Sequence, residues 1–214
     1  SEAAGQFLIC AEPGNDEATA AAGILARKAR AYLLHAGDAV EITCLHEHSK
    51  EDNAWAEAVE EAVVNSRAVA FLLSSGTMQT KEQLFVIILA MEARSVGDDS
   101  LVLIPLLLPG FAFPTATYFH STLPSLTHDA HRHSEELVRG FFKLIALPFA
   151  IDASEHIIDV QVADVAARIP DTIGRLRSGT NLRMGSTLSS LAHPGNASDT
   201  MRQSMIMNEI VYEI

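Results

Sequence analysis

The chain has 214 residues, 48% of them hydrophobic, which suits one domain of ordinary size with extensions. Its 15 Lys and Arg against 27 Asp and Glu leave a formal charge of -12; this argues against a nucleic-acid binder and disfavours docking on anionic lipid, since both are polyanions. No apolar run approaches the roughly 20 residues that span a bilayer and no basic-then-apolar leader opens the sequence, so the expectation is a soluble, cytoplasmic chain.

Gln6–Ala11 is a short apolar strand candidate. Pro13-Gly14-Asn15 is turn chemistry, and Asn15 or Asp16 can cap the next helix by accepting its free amide hydrogens. That Ala-rich helix runs to His35, with Ile24, Leu25, Ala29, Tyr32 and Leu33 on its inner side and Gly37 as its stop. Val40–Leu45 and Ala68–Leu73 are short aliphatic runs of the kind buried on both faces of a parallel sheet. Between them Trp55, Val59, Ala62 and Val63 recur at helical spacing, opposite Glu57, Glu60 and Glu61. Cys10 and Cys44 fall inside these predicted strands, where core packing in a reducing compartment outweighs a disulfide.

Lys81–Val96 is a third helix with Leu84, Ile87, Ile88 and Met91 at core spacing. Leu101–Leu108 is the fourth strand. The alternation predicts a doubly wound α/β sheet with helices on both faces. Phe111–Thr127 is apolar but aperiodic, a packed loop with room for one short element. Glu135–Leu147 reads as a helix capped by Ser134, its apolar side formed by Leu137, Val138, Phe141, Phe142 and Ile145. A last helix is expected over about His156–Leu176, with a break at Pro170. Gly179–Ser204 is rich in Ser, Thr, Gly, Asn and Met without a stable period, so a flexible tail is expected over 179–214, whose end Asn208–Ile214 forms a short helix or strand only by docking.

Four segments carry a resemblance in their order and spacing. They are Phe7–Glu12 followed by Asp16-Glu17, Ile42–Glu47, Ala62–Ser74, and Leu103–Leu108. Together they resemble the Toll/interleukin-1 receptor (TIR) domain family, over roughly Gln6 to Leu147. A flavodoxin-like domain of another family shares the same alternation. The resemblance implies a TIR-like, flavodoxin-like domain over 1–150, a helical extension over 151–178 and a tail over 179–214. TIR domains either assemble signalling complexes or cleave NAD, so both functions follow as expectations.

Two departures from the family pattern bear on that choice. The loop the family calls BB commonly holds a Pro-Gly pair; here His46, Glu47, His48, Ser49, Lys50, Glu51, Asp52 and Asn53 form a charged loop with neither. It is the expected interaction surface, beside the plain alternative of a solvated turn. NAD-cleaving TIR enzymes place a glutamate on the third helix, where a carboxylate can stabilise an oxocarbenium-like state. Ungapped counting from Ser74 sets Thr80 at the family's Ser position and Val86 at the glutamate position. Glu82 lies one turn earlier on nearly the same side, so it is the candidate catalytic residue for an NAD glycohydrolase. Its plain alternative is a first-turn acid favoured by the helix dipole.

Ser74, Ser75, Gly76 and Thr77 end a central strand, where ligands of open parallel sheets bind, and could cradle a phosphate. No P-loop or Gly-x-Gly-x-x-Gly pattern accompanies them. His128, His131 and His133 form a short cluster that a solvated turn explains better than zinc, which needs converging ligands. Asn196-Ala197-Ser198 is a glycosylation pattern without meaning in a cytosolic chain, and Tyr212 sits in an acidic, aliphatic terminal segment. The expected function is therefore a non-enzymatic signalling or scaffold module that self-associates or binds other TIR-like domains. No cofactor or metal is expected, with NAD as a possible substrate. A nucleotide sensor without turnover is the third possibility.

Overall fold

A computed structural model describes residues 5–35, 40–45, 52–96, 101–127 and 131–170. Strand β1 (Gly5–Cys10), helix α1 (Asp16–His35), β2 (Val40–Leu45), α2 (Asp52–Val64), β3 (Ser66–Leu73), α3 (Lys81–Val96) and β4 (Val102–Leu107) follow in the expected alternation. A π-helical turn (Tyr118–Thr122), α4 (Leu123–Thr127), α5 (His131–Phe141), β5 (Leu147–Pro148) and α6 (Glu155–Arg168) come after them. The described residues all lie in one unit, Ser1–Ser178, and the second unit, Gly179–Ile214, lies outside them. The tail expected there, with Asn196 and Tyr212, lies outside the described residues as well.

All strand pairs are parallel, in the order β2-β1-β3-β4-β5. This is the flavodoxin-like, doubly wound order. Pleating sends successive side chains to opposite faces. Phe7, Ile9, Ala68, Ala70, Leu72, Ile104 and Leu106 pack under α1 and α6. Leu8, Cys10, Val69, Phe71, Leu73 and Leu103 pack under α2, α3 and α5. Asn15 caps α1: its Oδ1 accepts the Ala18 N–H at 3.0 Å. Ala18, Ala21, Ala22 and Ala29 of α1 are buried, and their small size lets the helix lie close to the sheet. Cys10 and Cys44 are both free thiols, and they pack into the cores on opposite faces.

Several expectations are corrected. β3 is buried on both faces, but β2 is an edge strand with Glu41 exposed and Ile42 to Leu45 half-buried. Tyr32 is 39% exposed, because the buried stripe of α1 steps from Leu25 to Ala29 to Leu33 and passes it by. The helix expected over Glu135–Leu147 runs from His131 to Phe141, which puts the buried Ser134 inside it rather than at its cap. Pro148 biases Leu147 to extended backbone, and Leu147 pairs with Leu106 as a fifth strand that the sequence reading lacked. Ile145, expected on the apolar side of that helix, is 77% exposed. The last helix ends at Arg168; Ile169, ahead of Pro170, has φ -74° and ψ 124°.

The segment expected as an extension supplies α6, whose Ile158, Val162, Val165 and Ala166 belong to the core shared with α1. In α3, Leu84 and Ile87 are buried as expected, while Ile88 and Met91 are half-buried. Gln83, Val86 and Ala90 are buried too, since α3 is packed between the sheet on one side and α4 and α5 on the other.

Candidate functional site

In this strand order the windings diverge between β1 and β3, and open parallel sheets take ligands at the carboxyl ends of such strands. Beyond β1 the chain turns through Glu12, Pro13 and Gly14, the last with φ 74°, before Asn15 opens α1. Beyond β3 it turns through Ser74, Ser75 and Gly76 into a short 3-10 turn at Thr77–Gln79. The Ser74 N–H donates to Thr77 Oγ1 at 2.8 Å, and the Ser74 hydroxyl donates to the Glu12 carboxylate. Asn15 Nδ2 donates to the same carboxylate at 2.9 Å.

Ser74 and Gly76 thus meet Glu12, Thr77 bonds to Ser74 behind them, and Ser75 is exposed. A Cβ on Gly76 would lie 1.9 Å from Glu12 Oε1, so the carboxylate occupies the space the missing side chain leaves. Any anion brought to this turn meets a like charge. Sequence reasoning placed Glu12 only at the end of a strand. Its partnership with Ser74 requires knowing that β1 and β3 are neighbours, which parallel order alone decides.

A second feature lies on the α2–α3 side of β1. Cys10, Ala11, Pro13, Leu45, Trp55, Glu82, Gln83 and Val86 wall a cleft with about 230 Å³ of empty space, open solvent included. Glu82 stands in the first turn of α3, where its charge suits the helix dipole. Val86 follows one turn later at 1% exposure, so an acid and a hydrocarbon both line the cleft. Trp55 leans on Phe85, their ring centroids 5.7 Å apart. Gln83 is 1% exposed; its Nε2 donates to the Leu72 carbonyl at 3.3 Å, and its Oε1 has no hydrogen-bond partner among the described residues.

Burial pushes the Cys10 thiol up to about 12, with a hydrogen bond from Gln83 pulling the other way. The thiol is therefore protonated at neutral pH and is no nucleophile. Trp55, Gln83 and Cys10 were read from the sequence as core residues or not singled out. The signal available was slight, since Gln83 follows Lys81 and Glu82 in a polar first turn.

Of the expected interaction loop, residues 46–51 lie outside the described residues, and Asp52 and Asn53 open α2. In the histidine cluster, residues 128–130 lie outside them; His133 Nε2 stands 3.5 Å from Glu92 Oε1 on α3. No group of three or more His, Cys, Asp and Glu among the described residues is arranged to hold a metal. No helix among them is long and apolar enough to cross a membrane.

No family model matches the chain, and no curated protein matches it. Among solved structures, it is similar to the TIR domains in the structure of the activated Roq1 resistosome directly recognizing the pathogen effector XopQ, at 12% identity and a TM-score of 0.49. That match covers 75% of this chain and 98% of the other. Strand order, parallel pairing and a helix layer on each face define a doubly wound, flavodoxin-like domain.

Proposed function

We propose that the chain is an assembly module of TIR type, working by self-association or by pairing with other TIR-like domains. Val86 is the observation that carries this function. It is a buried hydrocarbon in the cleft at the position where the resemblance calls for the catalytic glutamate, and it can neither accept a hydrogen bond from a ribose hydroxyl nor stabilise a cationic sugar. The proposed contact surfaces are the loop His46–Asn53 and the stretch Ser74–Glu82, in a cytoplasmic setting that keeps Cys10 and Cys44 reduced.

One observation favours a second function. Glu82 lines the same cleft, so NAD glycohydrolysis with Glu82 as the stabilising carboxylate has a place to occur. The test is purified chain at high concentration with NAD, following nicotinamide release, alongside sedimentation equilibrium. The expected result is concentration-dependent association without release. Release that disappears in a Glu82→Ala variant of unchanged Tm overturns the assembly function.

A further inference from the structure

We propose that the outer edge of β2 pairs antiparallel with β2 of a second copy of this chain, joining two five-stranded sheets across a twofold axis. This rests on the assembly function above and gives it a surface. The sheet has two edges, and they differ. β5 is two residues long, and its Pro148 has no N–H to offer a further strand. β2 is six residues long, Val40–Leu45, with β-branched Val40, Ile42 and Thr43, one charge, and neither Pro nor Gly. That is the composition of a segment that pairs readily. One bond shows which of its backbone groups are on offer. The Ala11 N–H donates to the Leu45 carbonyl at 3.0 Å, so Leu45 turns its backbone groups toward β1. Alternation turns those of Thr43 and Glu41 the same way and those of Ile42 and Cys44 outward, where no strand among the described residues pairs with them.

Symmetry and charge select the register. A twofold axis normal to the sheet keeps like faces together, so each residue opposes one of its own parity. With Thr43 opposite its own copy, Ile42 and Cys44 exchange hydrogen bonds across the axis, and Glu41 opposes Leu45. The two Glu41 carboxylates then lie roughly 13 Å apart along the strands, beyond the ~10 Å screening length at 0.1 M salt. Sliding the pair until Ile42 opposes Ile42 makes them diagonal neighbours, where like charges repel. Side chains favour the same occupant: Ile42, Cys44 and Leu45 are half-buried, and in this register Ile42 covers Cys44 of the other copy while Leu45 meets the aliphatic stem of Glu41. β2 also runs directly into the loop His46–Asn53, so the edge is continuous with a contact surface already proposed.

The test traps this register in the full chain. In a Cys44→Ser background, Thr43→Cys sets the two new thiols on residues whose Cα atoms are about 4.5 Å apart, within disulfide reach, whereas Glu41→Cys does not. Mild oxidation is expected to crosslink Thr43→Cys at least ~10-fold faster than Glu41→Cys, both checked for unchanged Tm. Cys10, buried and protonated, takes no part. A second variant leaves the pairing of β1 with β2 whole, because Cys44→Pro removes only an outward N–H. It is expected to weaken dimerisation in sedimentation equilibrium by about 10-fold, the equivalent of the hydrogen bonds lost. No crosslink at Thr43, equal crosslinking of both positions, or undiminished association of a folded Cys44→Pro overturns the proposal. Where the native chain still associates, those results defeat the edge alone. A native chain that is monomeric at every concentration defeats the edge and the assembly function together, while nicotinamide release defeats only the latter.

Discussion

Gly76 has φ -97° and ψ -8°, angles open to any residue, so what matters there is the absent side chain. With a Cβ 1.9 Å from Glu12 Oε1, Gly76→Ala must displace the carboxylate from Ser74. The expected loss of stability is about 1.5–3 kcal/mol, the range for a hydrogen bond to a charged group. In a Glu12→Ala background the same substitution is expected to cost almost nothing, and thermal melts of the four proteins close the cycle. Cys10 gives a pH prediction. Its thiol titrates at about 12 in the folded chain against an ordinary 9.0, so the folded state holds the proton more tightly. The associated stability is complete below pH 9 and is lost as pH rises toward 12. Melts at pH 8 and pH 10.5 are expected to differ more for the native chain than for Cys10→Ala, by on the order of 2 kcal/mol.

At the scale of elements, α6 closes the core over α1, and four of its side chains sit in that cluster. A chain cut after Ala150 is therefore expected to lose cooperative thermal unfolding, which circular dichroism reads directly. Arg139 does a smaller job, joining α5 to the π-helical turn. Its Nε donates to Glu135 at 2.9 Å, and its guanidinium lies 3.9 Å over the Phe119 ring. Arg139→Lys is expected to lower stability by about 1 kcal/mol, because an ammonium cannot stack flat on the ring.

The strongly periodic parts were legible before any coordinates. α3 spans the expected Lys81–Val96, and β2 the expected Val40–Leu45, because aliphatic period and flanking polar turns agree there. The fifth strand was not legible: two residues, Leu147 and Pro148, carry no period, and only pairing with β4 makes them a strand. The candidate site was half legible for a related reason. Ser74, Gly76 and Thr77 announced themselves as turn chemistry, whereas Glu12 joins them only through the adjacency of β1 and β3. Trp55 and Gln83 look like ordinary helix residues until the helices are placed around Cys10.

For the molecule as a whole, charge sets how self-association responds to salt. Copies that each carry -12 repel one another, so self-association is expected to strengthen between 50 and 500 mM NaCl, as the screening length falls. Sedimentation across that range measures the trend. The back-to-back placement of Cys10 and Cys44 has a further consequence. With a layer of β-sheet between them, the sulfurs have no short route to each other, and the deeper one is sealed and uncharged. Oxidants therefore find no internal crosslink to form; a covalent dimer through the edge-strand thiol is the only bridge the two cysteines leave open.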